Sequence, residues 1–335
     1  MRVERKISTM TRTKLYDAIE RVGLVPVIKI SEKADASGLA KALTEGGLPA
    51  AEVTFRTSAA PEAIRKMKAT CPQMIVGVGT VLSMSQVDAA ADAGADFVVT
   101  PGLDPEIVRY CGFKEIPIIP GVSSASGIQE AISLGLNVVK FFPAELSGGL
   151  KAIKAMSGPF GSVRFMPTGG INASNLKDYL NDRSILACGG TWMVPEEALE
   201  AGDFDTIRHL TEKAVRTMLG FRLAHIGINS EDEAEAKQTA QMIQSLFAFQ
   251  PNENPSSIFM DSYFEIMKTP FLGEKGHIAI ATSSVERGKC YLERKGFRFR
   301  EDSAVFRPDG TMQAVYLEQE VAGFAIHLVR DPQLG

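Results

Sequence analysis

The chain has no basic excess: 36 Lys and Arg stand against 40 Asp and Glu, a formal net charge of −4 over 335 residues. It therefore offers no electrostatic footprint for nucleic acid and no polybasic patch for a membrane surface. Cysteine is scarce, and Cys71, Cys111, Cys188 and Cys290 include no close pair. That argues against a disulfide framework and for a reducing compartment. No apolar run approaches the ~20 residues that a membrane-spanning helix requires. The opening residues, Met1 to Met10, are polar and charged without an apolar stretch, so no secretory signal is expected there. A cytoplasmic enzyme is the expectation left standing. What the chain does have is ordinary for a globular protein, with 45% hydrophobic and 23% charged residues. Its length suits two domains better than one.

From residue 14 to about 219, two textures alternate. Short apolar, β-branched runs end in Gly, Pro or Thr: Leu24–Ile30, Ala50–Phe55, Met74–Thr80, Asp96–Gly102, Ile116–Val122, Val138–Ala144, Arg164–Gly170 and Ile185–Thr191. Each is nearly continuous in apolar residues, as a parallel strand buried on both faces should be. Amphipathic segments such as Ala34–Thr44, Ala60–Ala69, Ser85–Ala93, Pro105–Tyr110 and Ser126–Leu134 lie between them. This α/β alternation predicts a small TIM (β/α)8 barrel over residues 11–219, with an open doubly wound sheet as the alternative. After Gly220 the texture changes. Leu223–Asn229 reads as a strand, Glu231–Phe247 as a helix, Asn252 to Pro255 as a turn, and Ile258–Asp261 and Ser262–Lys268 as strands. The order then repeats with strand Gly276–Thr282, helix Val285–Lys295, and strands Phe297–Arg300, Gln313–Glu320 and Gly323–Arg330. Residues 220–335 thus predict an α+β domain of two βαβββ-like units.

Catalytic residues of a barrel sit at the C-terminal ends of its strands. One of these strand ends reads Val138-Val139-Lys140-Phe141-Phe142-Pro143-Ala144-Glu145. Period two puts Val138, Lys140 and Phe142 on one face. A lysine inside an apolar strand costs free energy unless it is neutral, paired or in reach of water. Desolvation and a nearby cation both lower an amine's pKa, and Lys29 and Arg56 are candidate cations. A neutral amine in such a pocket attacks a ketone to form an imine. Alternatively, Lys140 snorkels out to a surface carboxylate. Glu52, inside another strand, either pairs with Arg56 or faces Lys140 as a general acid/base. Gly169-Gly170 and Gly189-Gly190 follow adjacent strands, where barrels commonly bind phosphate through backbone N–H groups. Otherwise they are only tight turns.

The set Glu52-Val53-Thr54-x-Arg56, Gly77-x-Gly79-Thr80-Val81, Pro101-Gly102, Pro120-Gly121-Val122, Lys140 to Glu145, Pro167-Thr168-Gly169-Gly170 and Gly189-Gly190-Thr191-Trp192 resembles the 2-dehydro-3-deoxy-6-phosphogluconate (KDPG) / 4-hydroxy-2-oxoglutarate (KHG) aldolase family, in order across the whole barrel. The resemblance implies a homotrimeric class I aldolase of the Entner–Doudoroff pathway that needs no metal. It would act on a phosphorylated keto sugar acid and release pyruvate. Lys140 would form the Schiff base and Glu52 would transfer protons. Arg56 and Thr80 would hold the pyruvyl carboxylate, with Thr168 lining that pocket and Phe142 packing on the imine. Gly169, Gly170, Gly190 and Thr191 would form the phosphate end. Thr191 departs from relatives that carry Ser there, and Lys29 stands where some carry Arg. KHG cleavage to pyruvate and glyoxylate is the near alternative. A phosphate-binding barrel isomerase or synthase without a covalent intermediate is the distant one.

Three of the four histidines fall in the second domain. His225 and His277 lie on the first strands of the two units, His327 on the last strand of the second, and Glu265 on the last strand of the first. Imidazole and carboxylate suit Zn, Ni, Fe or Mn. The pattern resembles the vicinal oxygen chelate (glyoxalase-like) fold, whose paired modules cup a divalent metal. A metal site is favoured because all four equivalent positions are filled. The alternative is a degenerate binding or assembly module with histidines accumulated by chance.

Overall fold

The computed structural model describes residues 11–331; the Met1–Met10 segment lies outside them. The chain divides into two compact units between Met218 and Leu219, against an expected join at 219/220.

The first unit opens with helix α1 (Arg12–Val22) and then alternates strands with helices. The strands are β1 (Leu24–Ile28), β2 (Ala50–Thr54), β3 (Ile75–Gly79), β4 (Phe97–Val99), β5 (Ile118–Ile119), β6 (Gly121–Val122), β7 (Val138–Phe141), β8 (Arg164–Pro167) and β9 (Cys188–Gly190). Helices α2 (Ala36–Glu45), α3 (Ala60–Thr70), α4 (Met84–Ala93), α5 (Pro105–Phe113), α6 (Ala125–Ser133), α7 (Gly149–Ser157), α8 (Leu176–Leu180), α9 (Glu196–Ala201) and α10 (Phe204–Leu219) complete it. Several helices begin where a side-chain oxygen accepts a free backbone N–H, such as Asp35 from Ser37 and Ser83 from Gln86.

All of these strands pair in parallel. One sheet runs β5-β4-β3-β2-β1-β9 and a second runs β6-β7-β8. Only Pro120 separates β5 from β6. It has no N–H to donate, which explains why one apolar run reads as two short strands. On the other side, single parallel bridges Phe165↔Ile185 and Thr168↔Gly189 link β8 to the β9 segment. The result is a curled parallel sheet whose buried residues, such as Val53, Val78, Val139, Phe141 and Phe165, have no exposed surface.

In the second unit, β10 (Arg222–Asn229), α11 (Glu233–Phe247), β11 (Pro251–Glu253), β12 (Ser257–Met260) and β13 (Phe264–Met267) are followed by β14 (Gly276–Thr282), α12 (Val285–Arg294), β15 (Val305–Phe306), β16 (Met312–Val321) and β17 (Phe324–Arg330). They form one mixed sheet, β11-β12-β13-β10-β14-β17-β16-β15. Strands β10 and β13 pair in parallel, as do β14 and β17, and the halves meet through antiparallel β10 and β14. Each half packs its own core. Ala236 and Ala240 of α11 lie against Ile258, Met260 and Ile266, and Val285 of α12 joins Phe299, Met312, Val315 and Leu328.

Two sequence readings change here. Asn252 and Glu253 belong to edge strand β11, and the turn spans Asn254 to Ser257, where Asn254 N donates to Ser257 O at 2.9 Å. Phe297–Arg300 is not a regular strand. It contributes the bridge Phe299↔Leu317, while the short strand in that half is β15, where Val305 and Phe306 are both exposed. An exposed apolar pair with no alternation carries no strand signal.

Candidate active site and a histidine cluster

Strand period two carries Lys140 to the inner side of the curled sheet, while Val139 and Phe141 pack outward and are fully buried. Lys140 is 5% exposed and Glu52 is 0% exposed. Their side chains meet with Lys140 Nζ donating to Glu52 Oε1 at 3.0 Å. The amine therefore does not snorkel to the surface, and Glu52 pairs with Lys140 rather than Arg56. Lys140 Nζ also lies 5.3 Å from the centre of the Phe142 ring.

This pair forms part of the wall of a pocket of about 150 Å³ that opens to solvent. The residues to which the family resemblance assigned catalytic or binding roles all line it: Glu52, Arg56, Thr80, Lys140, Phe142, Thr168, Gly169, Gly170, Gly190 and Thr191. Gly189, from the second Gly-Gly turn, lines it as well, and so do Val27, Thr54, Pro101 and Ile171, to which sequence reasoning gave no role. Thr54 and Pro101 stood inside the quoted motifs; for Val27 and Ile171 the sequence carried no chemical signal. Lys29 is outside the lining and pairs on the exposed surface with Glu196 at 2.8 Å. It does not act as the expected cation beside Lys140.

Two buried polar atoms of the lining, Glu52 Oε2 and Thr168 Oγ1, have no hydrogen-bond partner among the described residues. Buried polar groups are rarely left so, and orphans that share a pocket mark where a ligand's polar atoms belong. The Arg56 side chain is exposed at the same pocket and has no ion-pair partner among the described residues. Thr80 sits at φ 60°, in the left-handed region that a β-branched residue rarely adopts. Local strain of this kind costs about 1–3 kcal/mol and persists where the surroundings enforce it.

Glycine makes room for this arrangement at two points. A Cβ on Gly79 would stand 2.2 Å from Glu52 Oε1, so the carboxylate reaches Lys140 only because position 79 is bare. Gly79→Ala should displace Glu52 from Lys140, and a crystal structure of the variant reads the shift. Gly169 and Gly170 adopt φ of 96° and 84°. Their carbonyls are tied back into the loop: Gly169 O accepts from Glu145 N at 3.1 Å, and Gly170 O accepts from Asn172 Nδ2 and Asn175 Nδ2, each at 3.1 Å.

The sequence matches the family described as "Aldolase: KDPG and KHG aldolase" over residues 16–210. The chain belongs to the KDPG and KHG aldolase family. It is a carbon–carbon lyase of the aldolase type. It is 45% identical over 202 residues to a 2-dehydro-3-deoxy-phosphogluconate aldolase of Treponema pallidum, covering 60% of this chain and 96% of that protein. It is 46% identical over 192 residues to the KHG/KDPG aldolase of Escherichia coli K12, covering 57% and 90%. Among solved structures it resembles the KDPG aldolase of Legionella pneumophila, described with pyruvate captured as a covalent carbinolamine intermediate. That match has a TM-score of 0.57 at 40% identity and covers 59% of this chain and 97% of that one. The Zymomonas mobilis enzyme with 3-phosphoglycerate gives a TM-score of 0.56 at 42% identity, covering 59% and 94%.

The KDPG/KHG aldolase match ends before Leu219, and the second unit gathers its own chemistry. His225, His277 and His327 bring nitrogen atoms within 4.8 Å of one another. His225 Nε2 lies 3.2 Å from His277 Nε2, and Glu265 Oε2 lies 3.2 Å from both. Gly227, directly across from His277, leaves the space that the imidazole fills; a Cβ there would stand 2.1 Å from the ring. The Tyr316 ring stacks on His327 at 4.4 Å and 10°. Burial pushes the Glu265 carboxyl up, but hydrogen bonds with His225, His277 and Ser257 outweigh it and hold the group well below the usual carboxylate range. Burial, with His277 and His225 beside it, pushes His327 down to about 3. His277 Nδ1 and both His327 nitrogens are buried without a hydrogen-bond partner among the described residues.

Proposed function

We propose that the first unit is a closed (β/α)8 barrel that cleaves KDPG to pyruvate and glyceraldehyde 3-phosphate through a Schiff base on Lys140. One observation carries this reading: a buried lysine amine 3.0 Å from a buried glutamate, in an open pocket, with the second glutamate oxygen unpartnered. The amine attacks the C2 ketone as the free base, and loss of water leaves an iminium. The iminium nitrogen accepts the electron pair of the C3–C4 bond as it breaks. Glu52 takes the C4 hydroxyl proton, so the aldehyde departs and an enamine remains. Protonation of the enamine at C3 and hydrolysis release pyruvate and restore Lys140. Arg56 and Thr80 hold the pyruvyl carboxylate, with Thr168 beside it, and Phe142 packs against the imine. Gly169, Gly170, Gly190 and Thr191 supply the phosphate end. The expected assembly is a homotrimer.

A substrate panel read by pyruvate release tests the substrate assignment. KDPG should be cleaved with a kcat/KM well above that for KHG. A preference for KHG would move the chain to the other substrate in the name of its E. coli relative.

For the second unit we infer paired βαβββ modules of the vicinal oxygen chelate type that hold a divalent metal (Zn, Ni, Fe or Mn) on His225, Glu265, His277 and His327. The donor spacing supports this: ligands about 2.0–2.1 Å from a common ion lie roughly 3 Å from each other, and three of these donor atoms stand 3.2 Å apart. The unpartnered nitrogens of buried His327 support it as well. Such a metal supplies Lewis-acid chemistry. Metal analysis after mild dialysis should find one divalent ion per chain. EDTA should remove it while leaving pyruvate release unchanged, because the barrel chemistry uses Lys140 and Glu52 alone. Loss of pyruvate release that returns with metal would overturn that separation.

A further inference from the structure

The turn before β12 feeds a directional chain of hydrogen bonds into the histidine cluster. Asn254 Oδ1 accepts from Ser256 N at 2.9 Å and Ser257 N at 2.8 Å, which points its amide nitrogen the other way. Asn254 Nδ2 donates to Ser257 Oγ at 2.9 Å. An amide nitrogen cannot accept and a carboxylate cannot donate. The single proton of the Ser257 hydroxyl is therefore committed to Glu265 Oε1, at 2.7 Å. Ser257 is fully buried, so water does not compete for the bond. With Oε1 occupied, only Oε2 faces His225 and His277, at 3.2 Å from each Nε2.

We propose that Ser257, itself fixed by Asn254, is a positioning residue that makes Glu265 a monodentate metal ligand through Oε2. The inference rests on the metal-site reading above. It concerns the outer layer of the centre, where partners of ligating carboxylates commonly change metal affinity about 10–100-fold. Without the serine, Oε1 is released and the carboxylate is free to turn both oxygens toward the ion.

Cobalt(II) titration of the full chain, with chelator competition and visible absorption, tests it. The wild-type chain should take up one cobalt with a defined d–d spectrum. Ser257→Ala should bind cobalt about 10–100-fold more weakly, with a changed spectrum. Ser257→Thr, which keeps the hydroxyl, should restore both readouts. If Ser257→Ala does not fold by circular dichroism, Asn254→Ala carries the same test, with a loss in the same direction. A folded Ser257→Ala or Asn254→Ala chain with wild-type affinity and spectrum would overturn the proposal while leaving the metal site standing. No cobalt uptake by the wild-type chain would overturn both.

Discussion

Lys140→Ala is expected to lower pyruvate release on the order of 10⁴-fold or more, the scale of loss when a covalent nucleophile is removed. Its neighbour complicates the stability reading. Glu52 is 0% exposed and its partner is Lys140. Removing one member of a buried pair leaves an uncompensated charge, at a cost of about 3–5 kcal/mol. Lys140→Ala should therefore melt at a lower temperature as well as lose activity. The double variant Lys140→Met with Glu52→Gln removes both charges and should recover most of that stability with no activity. Differential scanning calorimetry beside a pyruvate assay separates the two effects. A Lys140→Ala chain that keeps substantial turnover would make the lysine an electrostatic clamp instead.

Glu52→Gln should lower turnover about 10²–10⁴-fold, the range for a lost general acid/base. It removes the proposed proton carrier but leaves the amine. Imine formation with pyruvate should therefore persist, slowed, while proton exchange at the pyruvate methyl group falls with the cleavage rate. NMR in heavy water follows that exchange directly. Equal loss of adduct and exchange would mean that Glu52 only holds Lys140 in place.

Much of this site could be read before the fold, because its residues break local rules. A lysine within Val138-Val139-Lys140-Phe141-Phe142 and a glutamate within Ala51-Glu52-Val53 are costly in buried strands. They stand out against the apolar pattern that predicts the strands themselves. From the residues alone, the pairing was legible only as one of two alternatives for Glu52. Period two places each side chain on a face, but only the curl of the sheet brings β2 and β7 across from one another. Lys29 shows the limit. It follows β1 as a charge after an apolar run, as Arg56 follows β2, yet it turns outward to Glu196. The second unit repeats the lesson. His225, Glu265, His277 and His327 were visible because a repeat put reactive residues at equivalent places. Ser257 was hidden, since a serine after Asn254-Pro255-Ser256 reads as turn chemistry until its hydroxyl is seen on Glu265. The strained backbone of Thr80 left no sequence signal either, because threonine ordinarily favours extended conformations.

The most direct test of the central claim is reductive trapping. The full chain is incubated with pyruvate and sodium borohydride, digested, and its modified peptide sequenced by mass spectrometry. The account predicts irreversible inactivation and a single reduced pyruvate adduct on Lys140, absent without pyruvate. An active chain that borohydride and pyruvate leave unmodified at Lys140, or modify at another lysine, would contradict it.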